Sequence, residues 1–251
     1  MKTMRTSIAP FLLVLFCLTG LTAQRSSLYI GGTGGVNLSK FKFTSDLSEL
    51  YSETNPILGV NGGLVFGVQL GSVTLSSGLQ YVQKGSEYLT DNFEDDKGVG
   101  FFTARERLHF ISVPLLLGYR KNLGSNFGIS VAMGPSFNFG ISGKLDEKIE
   151  YFGEDQPEET TNYVVHFGSG VNDDYRKTQV DFQFSPGIYY DVNPYTRFTF
   201  NVTWDSGLGD AFNPRYKKAN SFFDDNKGIV MNRSTMFSIG LERHFSIGDK
   251  Y

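Results

Sequence analysis

The chain has 251 residues, a formal net charge of −3 and a single cysteine, together with 29 glycines, 23 phenylalanines and 13 tyrosines. A slightly acidic chain without a cluster of lysines and arginines is not typical of a nucleic-acid-binding protein. Its length suits one or two domains, and because no stretch in its middle has the composition of a linker, we expect one.

The start of the chain has the three parts of a secretory signal peptide: basic residues, an apolar run at residues 8–18 and a short polar exit. The apolar run is too short for a membrane-spanning helix, and no later stretch approaches about 18 consecutive apolar residues. We therefore predict a signal peptide at residues 1–23 and one exported domain at residues 24–251. Since Cys17 lies in the signal, the mature domain would contain no cysteine, which excludes disulfide and thiolate chemistry.

After the signal, polar and apolar residues alternate along eight segments, as they do in β-strands with one apolar and one polar face. In the clearest case, Val180, Phe182 and Phe184 alternate with Asp181 and Gln183. In chain order, the predicted strands cover about residues 28–39, 57–70, 73–84, 105–120, 127–142, 179–191, 197–205 and 237–245. Charged and amide side chains at mid-strand, opposite an aromatic face, favour a barrel with lipid outside and a polar interior.

The connections between these strands alternate in length. Long connections follow the odd-numbered strands, at residues 42–56, 90–103, 144–177 and 210–228, and short turns follow the even-numbered ones. That alternation is typical of outer-membrane barrels, in which brief turns face the periplasm and longer loops face outward. The sequence therefore predicts an all-β fold: an eight-stranded antiparallel up-and-down transmembrane β-barrel with a polar, filled lumen, in the cell outer membrane.

Glycines and prolines inside the strands predict local irregularities of the backbone. The centre of the first strand is nearly without side chains, at Gly31, Gly32, Gly34 and Gly35. Glycines in a strand interior predict a bend or a close approach of neighbouring backbone.

Prolines lie inside strands four, five and six, at Pro114, Pro135 and Pro186. Because proline has no N–H to donate to a ladder, we expect bulges or a local kink at these positions.

Three segments carry a resemblance to a known family: FISVPLLLGYR at residues 110–120, AMGPSFNFG at residues 132–140 and SPGIYYDVNPYTRFTFNVTW at residues 185–204. In their order and spacing they resemble the outer-membrane β-barrel family of Bacteroidetes that includes PorT-like proteins. The resemblance extends over essentially the whole mature chain. It implies an eight-stranded barrel in the outer membrane and no particular activity. A PorT-like role in protein export rests on the family resemblance alone.

Eight polar residues are predicted to face the lumen: Gln80, Lys84, Asp181, Gln183, Arg197, Asn201, Asp205 and Glu242. One interpretation is a structural network of hydrogen bonds and ion pairs, and the other is the polar path of a narrow channel for small solutes. Eight strands leave space for little beyond side chains, so the structural network is favoured.

The sequence predicts no catalytic residue, cofactor site or metal site. His109, His166 and His244 are scattered without a recognisable catalytic spacing. A barrel enzyme acting on lipid or protein would need His109 or His166 beside a serine or carboxylate at the outer rim. The acidic runs at residues 91–98 and 224–228 do not match the spacing of a calcium loop and are interpreted as solvated turns.

The long connection at residues 144–177 is the most acidic part of the chain, and aromatic residues are interleaved in it, at Tyr151, Phe152, Tyr163 and Phe167. Loops on a rigid scaffold often carry recognition, so this connection is the predicted partner-binding surface. We accordingly predict a non-enzymatic barrel with a structural or interaction role, including an accessory role in a secretion complex. Its predicted partners are outer-membrane lipid and envelope or secretion-complex proteins.

Overall fold

The computed structural model describes residues 26–43, 53–152, 158–219 and 229–247. The predicted signal peptide lies outside the described residues. In chain order the strands are β1 (Ser26–Phe43), β2 (Glu53–Asn55), β3 (Ile57–Leu70), β4 (Val73–Asp95), β5 (Gly98–Asn122), β6 (Phe127–Tyr151), β7 (Glu159–Val165), β8 (Phe167–Gly168), β9 (Tyr175–Arg176), β10 (Thr178–Asn193), β11 (Thr196–Gly207) and β12 (Val230–Ile247). A six-residue helix, α1 (Pro214–Ala219), lies between β11 and β12.

Eight of the strands close into a barrel in the order β10-β11-β12-β1-β3-β4-β5-β6, and pairing between β6 and β10 completes the ring. Every pairing in the ring is antiparallel. The predicted fold, an eight-stranded antiparallel up-and-down β-barrel, is confirmed. Both described chain ends, Ser26 and Ile247, lie side by side at one end of the barrel, here called the terminal end.

The barrel carries its apolar side chains on the outside and its polar ones inside, as the alternation predicts. Successive outward positions on β5 are apolar at residues 111–119, and those on β1 are apolar or glycine at residues 28–38. Together with their equivalents on the other strands, these outward residues form the apolar belt. Leu58 and Ile239 are 67% and 68% exposed in the belt, whereas Lys84 inside is 0% exposed. A continuous exposed apolar belt of this kind requires lipid around it.

Three strands run well beyond the belt at the end opposite the chain termini. β4 has 23 residues, and β5 and β6 have 25 each, although about 10 tilted residues cross a membrane. Residues 85–95 of β4, 98–107 of β5 and 144–151 of β6, together with β7, which pairs with β6, form what we call the external sheet. The prediction of long connections at residues 90–103 and 144–177 was therefore wrong over most of their length.

Cross-strand contacts explain why those segments are strands. The rings of Phe93 and Phe102 stack with centroids 5.4 Å apart, and the Arg105 guanidinium lies 3.1 Å from the Glu87 carboxylate. Cross-strand aromatic and opposite-charge pairs stabilise antiparallel sheets even where no core lies behind them. The sequence signal is weak because outside the membrane both faces of a strand carry polar residues. Of the described residues, none forms a helix long and apolar enough to cross a membrane.

The prolines interrupt pairing without shifting it, so the expected bulges do not occur there. Between β4 and β5, Ser77 pairs with Leu115 and pairing resumes in the same register beyond Pro114. Pro135 and Pro186 take part in the continuous pairing between β6 and β10. On their other sides, between β5 and β6 and between β10 and β11, two pairs are missing in each ladder and pairing resumes in the same register. The missing N–H therefore removes individual pairs but inserts no extra residue. The register shift between β5 and β6 lies instead beside His109, where β6 has one additional residue.

The close approach predicted for the glycines of β1 occurs at two of the four. A Cβ atom on Gly35 would lie 1.9 Å from the Phe237 carbonyl oxygen, and one on Gly31 would lie 2.4 Å from that of Leu241. Gly32 and Gly34, which face outward, have no atom nearer than 3.9 Å to such a Cβ. The two inward glycines therefore let β1 and β12 approach each other closely.

Candidate functional site

An ion-pair cluster fills the middle of the lumen. Lys84 of β4 places its Nζ 2.5 Å from Asp181 Oδ2 and 3.0 Å from Asp205 Oδ2, and all three side chains are almost completely buried. The Asn138 amide donates to Asp181 at 2.8 Å, and the Gln183 amide donates to Asp205 at 3.3 Å. These five residues, here called the Lys84 cluster, span the lumen between β4, β6, β10 and β11. One ammonium group holds two carboxylates that have no access to bulk water.

A second network lies nearer the terminal end. The Arg120 guanidinium donates to both oxygens of Glu242, at 2.8 and 2.9 Å, and lies 4.8 Å from the centre of the Tyr29 ring. His244 also belongs to this network. Its ring stacks on the Tyr29 ring with centroids 5.3 Å apart, and its Nε2 lies 3.1 Å from Glu242 Oε2. Ser27 Oγ lies 3.4 Å from His244 Nδ1.

Side-chain contacts lead from Ser27 to His244 and from His244 to Glu242. A nucleophile, a base and an orienting carboxylate are connected in the same order. The Glu242 carboxylate, however, is held by Arg120 in a bidentate pair, a geometry that neutralises its charge. The Ser27 to His244 distance of 3.4 Å is also longer than the 2.6–3.2 Å of an engaged nucleophile and base. Arg120, Glu242 and His244 together fill the lumen at the terminal end.

Arg197 closes the rest of the terminal end. Its guanidinium donates to Asp191 at 2.6 and 3.1 Å and to Gln69 at 3.2 Å, and it lies 4.0 Å from the centre of the Tyr189 ring. The pair links β10 and β11 to the end of β3. Of the predicted lumen residues, Arg197 and Glu242 therefore belong to one end of the barrel and the Lys84 cluster to its middle.

A cavity of about 110 Å³ separates the two levels, and Gln80 and Asn201 contribute to its lining together with Asn61, Thr74 and Ser238. The predicted residues Gln80 and Asn201 thus line a space and do not complete either network. A cavity of this volume has room for a few water molecules only. All eight predicted lumen residues face the interior. Four belong to the Lys84 cluster, Glu242 and Arg197 belong to the two arginine networks, and Gln80 and Asn201 line the cavity between them.

Aromatic residues close the other end of the lumen. Tyr175 of β9 is buried between Phe41 and Phe212, with ring centroids 5.9 and 4.7 Å away. This aromatic cap consists of Phe41, Tyr88, Phe110, Phe167, Tyr175 and Phe212. Sequence reasoning missed it because Tyr175 and Phe212 come from connections between strands. The available signal was an inward aromatic residue, Phe41, at a strand end where a polar residue is usual.

A carboxyl group is buried beneath the aromatic cap. Glu106 Oε2 accepts hydrogen bonds from the hydroxyls of Tyr175 at 2.8 Å and Tyr88 at 3.1 Å. Glu106 lies in the external sheet, outside the membrane, since its neighbours Arg105 and Arg107 point outward beyond the apolar belt. Burial raises the pKa of Glu106 to about 7, against the opposing effect of the two hydroxyl donors.

The four predicted partner-binding aromatics do not share one surface. Phe167 belongs to the aromatic cap, 5.4 Å from Phe110, and Tyr151 is buried with its hydroxyl donating to Asp95 at 2.7 Å. Phe152 and Tyr163 are 50% and 48% exposed. The register of the external sheet places them on opposite faces, because Tyr163 pairs with Leu145, on the same face as Glu106. The four aromatics therefore form no single surface, and two of them are exposed at the external sheet. Partner binding by this segment stays a prediction.

The histidines are dispersed, as the sequence indicates. His109 faces outward, and its Nδ1 lies 2.5 Å from the Tyr81 hydroxyl. The His166 backbone N–H donates to the Asp174 carboxylate at 2.8 Å. Within the described ranges there is no group of three or more metal-ligating side chains. The acidic run at residues 91–98 covers the end of β4 and the β4–β5 turn, where Asp95 Oδ1 accepts from the backbone N–H groups of Lys97 and Gly98.

Comparison with known protein families gives a match to the model of the outer membrane protein beta-barrel domain over residues 22–213. The chain belongs to this family. The matched region includes seven of the eight barrel strands, all but β12. Membership places the protein in the outer membrane, with lipid around the apolar belt. No curated protein sequence matches the chain.

Comparison with solved structures finds several chains with a similar course, each at low sequence identity. The chain is 11% identical to Neisserial surface protein A, with 87% of this chain and 97% of that one covered and a TM-score of 0.42. It is 11% identical to OprG from Pseudomonas aeruginosa, with 89% and 97% covered and a TM-score of 0.38. Ail from Yersinia pestis is 10% identical, with 88% and 99% covered and a TM-score of 0.34.

For a barrel of this family, the end with both chain termini and the short turns faces the periplasm. The aromatic cap and the external sheet then lie on the outer side of the membrane. The Arg120–Glu242 and Arg197–Asp191 pairs lie on the periplasmic side. From the outer side of the membrane to the periplasmic side, the lumen therefore contains the aromatic cap, the Lys84 cluster, a small cavity and the two arginine networks.

Proposed function

We propose that the protein is a non-conducting, non-enzymatic outer-membrane barrel that presents its external sheet to protein partners of the cell envelope. The filled lumen supports a scaffold role, because the buried networks leave a cavity of only about 110 Å³ between them. The external sheet supports an interaction role, because β4, β5 and β6 continue into it from the barrel as unbroken strands.

The observation that carries this proposal is the open edge of the external sheet. β7 pairs with β6 on one side, and no strand in the described part of the chain pairs with its other side. Val164 of β7 is 68% exposed. An exposed edge presents a row of unpaired backbone N–H and C=O groups, which an extended segment of a partner protein can extend by strand addition.

A secretion complex of the envelope is the partner that we favour. Its support is the resemblance of three segments of the chain to PorT-like proteins of Bacteroidetes, which suggests a part in protein export. An accessory role of this kind needs a stable barrel and an accessible external surface, and it needs neither a channel nor a catalytic site.

Site-specific photocrosslinking in whole cells tests the proposal. A benzophenone amino acid is placed at Val164 on the edge strand and, as the matched control, at Ile239 in the apolar belt, since both side chains are 68% exposed. We expect discrete protein adducts from position 164 and none from position 239, where lipid surrounds the side chain. Absence of protein adducts at position 164, or the same adducts at both positions, would contradict the proposal.

A further inference from the structure

An open groove of about 370 Å³ lies on the outer surface of the barrel, where β11, β12 and β1 meet. It is lined by Leu38, Lys40, Trp204, Asp205, Ser206, Arg233, Ser234 and Thr235. The Asp205 side chain is buried in the lumen against Lys84, so the outward side chains of the groove are those of the other strand positions. The strand register explains its composition. Lys40 of β1 is the direct cross-strand partner of Arg233 of β12. On the other side of β12, Thr235 is the partner of Trp204. The groove therefore has two cations at one end and an apolar wall at the other.

The groove lies at the boundary of the membrane. On β1 the outward residues of the apolar belt end at Leu38, and the next outward residue is Lys40. Arg233 lies at the same height because it is paired with Lys40. The short turns and chain ends face the periplasm, so this boundary belongs to the outer leaflet. The two cations are therefore at the level of lipid headgroups, and Trp204 is at the level where acyl chains begin.

Lys40 and Arg233 differ from Arg105 and Lys144, two outward cations of the external sheet. On the external sheet, Arg105 is paired with Glu87 at 3.1 Å, and Lys144 is paired with Asp146 at 2.6 Å. Lys40 and Arg233 form no ion pair with any residue in the described ranges. Both are exposed, and they stand next to each other across a strand pair. Like charges at directly opposite positions are unfavourable unless an anion is shared between them.

We infer that this groove binds the phosphate group of an outer-leaflet lipid, with an acyl chain of that lipid lying along Leu38 and Trp204. A guanidinium group can donate two parallel hydrogen bonds to a phosphate, and the lysine ammonium adds a mobile positive charge beside it. The apolar wall contacts the acyl chain and distinguishes a lipid from a free anion. Ser206, the cross-strand partner of Arg233, and Thr235, the partner of Trp204, also line the groove.

Trp204 supplies the readout, because it is the only tryptophan in the chain. The full mature protein is refolded into phosphatidylcholine vesicles that contain a small fraction of phosphatidic acid with brominated acyl chains, or the same fraction of brominated phosphatidylcholine. Bromine quenches tryptophan fluorescence at contact. We expect phosphatidic acid to compete for the groove about tenfold better than phosphatidylcholine, since each cation near a membrane surface contributes a several-fold preference for an anionic lipid.

The variant K40Q/R233Q is expected to lose this preference, whereas R105Q/K144Q, which removes two outward cations that are paired, is expected to keep it. Heat-modifiable migration on gels shows that each variant is folded. Equal preference in the wild type and K40Q/R233Q would overturn the inference. Displacement of brominated phosphatidic acid by millimolar inorganic phosphate alone would also overturn it, because the site would then recognise a free anion and not a lipid.

Discussion

Replacing Lys84 by methionine is expected to lower the free energy of unfolding by about 3–5 kcal/mol. The substitution keeps most of the side-chain volume but removes the ammonium group that holds Asp181 and Asp205. Two carboxylates would then remain at the centre of the lumen, each almost completely buried and without a counter-charge. Removal of one partner from a buried ion pair is costly for this reason, although the intact pair itself adds little net stability.

Urea unfolding in lipid vesicles, followed by the fluorescence of Trp204, measures this effect. The variant K84M/D181N/D205N is the matched control, since it removes all three charges together and should recover most of the lost stability. R105M, which breaks an exposed pair in the external sheet, should cost less than about 1 kcal/mol. A K84M barrel within about 1 kcal/mol of the wild type would contradict the structural role assigned to the Lys84 cluster.

The aromatic cap is expected to open more readily at pH 8 than at pH 5. Glu106 has a pKa of about 7 when buried under the cap, compared with 4.5 when exposed. Between these values the closed cap keeps its proton and the open cap loses it. The protonated Glu106 carboxyl therefore makes its full contribution to the stability of the closed cap below pH 4.5. This contribution, up to about 3 kcal/mol, is lost as the pH rises through 7.

Hydrogen exchange at the backbone of β8 and β9, corrected for the intrinsic dependence of exchange on pH, reports this opening. Protection of these amides should fall between pH 5 and pH 8 in the wild type. In E106Q, whose amide cannot ionise, protection should be the same at both pH values. A fall in protection that is equally steep in E106Q would show that Glu106 does not control the cap.

Alternation in the sequence was sufficient to predict the barrel. The second predicted strand, residues 57–70, coincides with β3, and the hairpin of β10 and β11 was predicted within about two residues at each end. The signal is strong inside the membrane, because lipid on one side and a polar lumen on the other impose a strict period of two. Outside the membrane that constraint ends. The sequence of the external sheet therefore lacks strict alternation and resembles the sequence of loops.

The interior was predicted as a set of residues but not as an arrangement. Lys84 contacts Asp181 and Asp205 across 97 and 121 positions of sequence. Strand tilt and stagger decide which inward residues reach the same level of a barrel, and a single sequence does not determine either one. The aromatic cap was missed for a related reason, since Tyr175 reaches the lumen only after a long connection turns back into the barrel mouth.

Single-channel recording of the refolded mature protein in a planar bilayer tests the filled lumen most directly. The aromatic cap, the Lys84 cluster and the arginine networks predict a silent protein, in preparations that heat-modifiable migration shows to be folded. Discrete, reproducible openings that change in K84A and D181A would contradict this account. They would show that ions pass the Lys84 cluster and that the barrel is a channel.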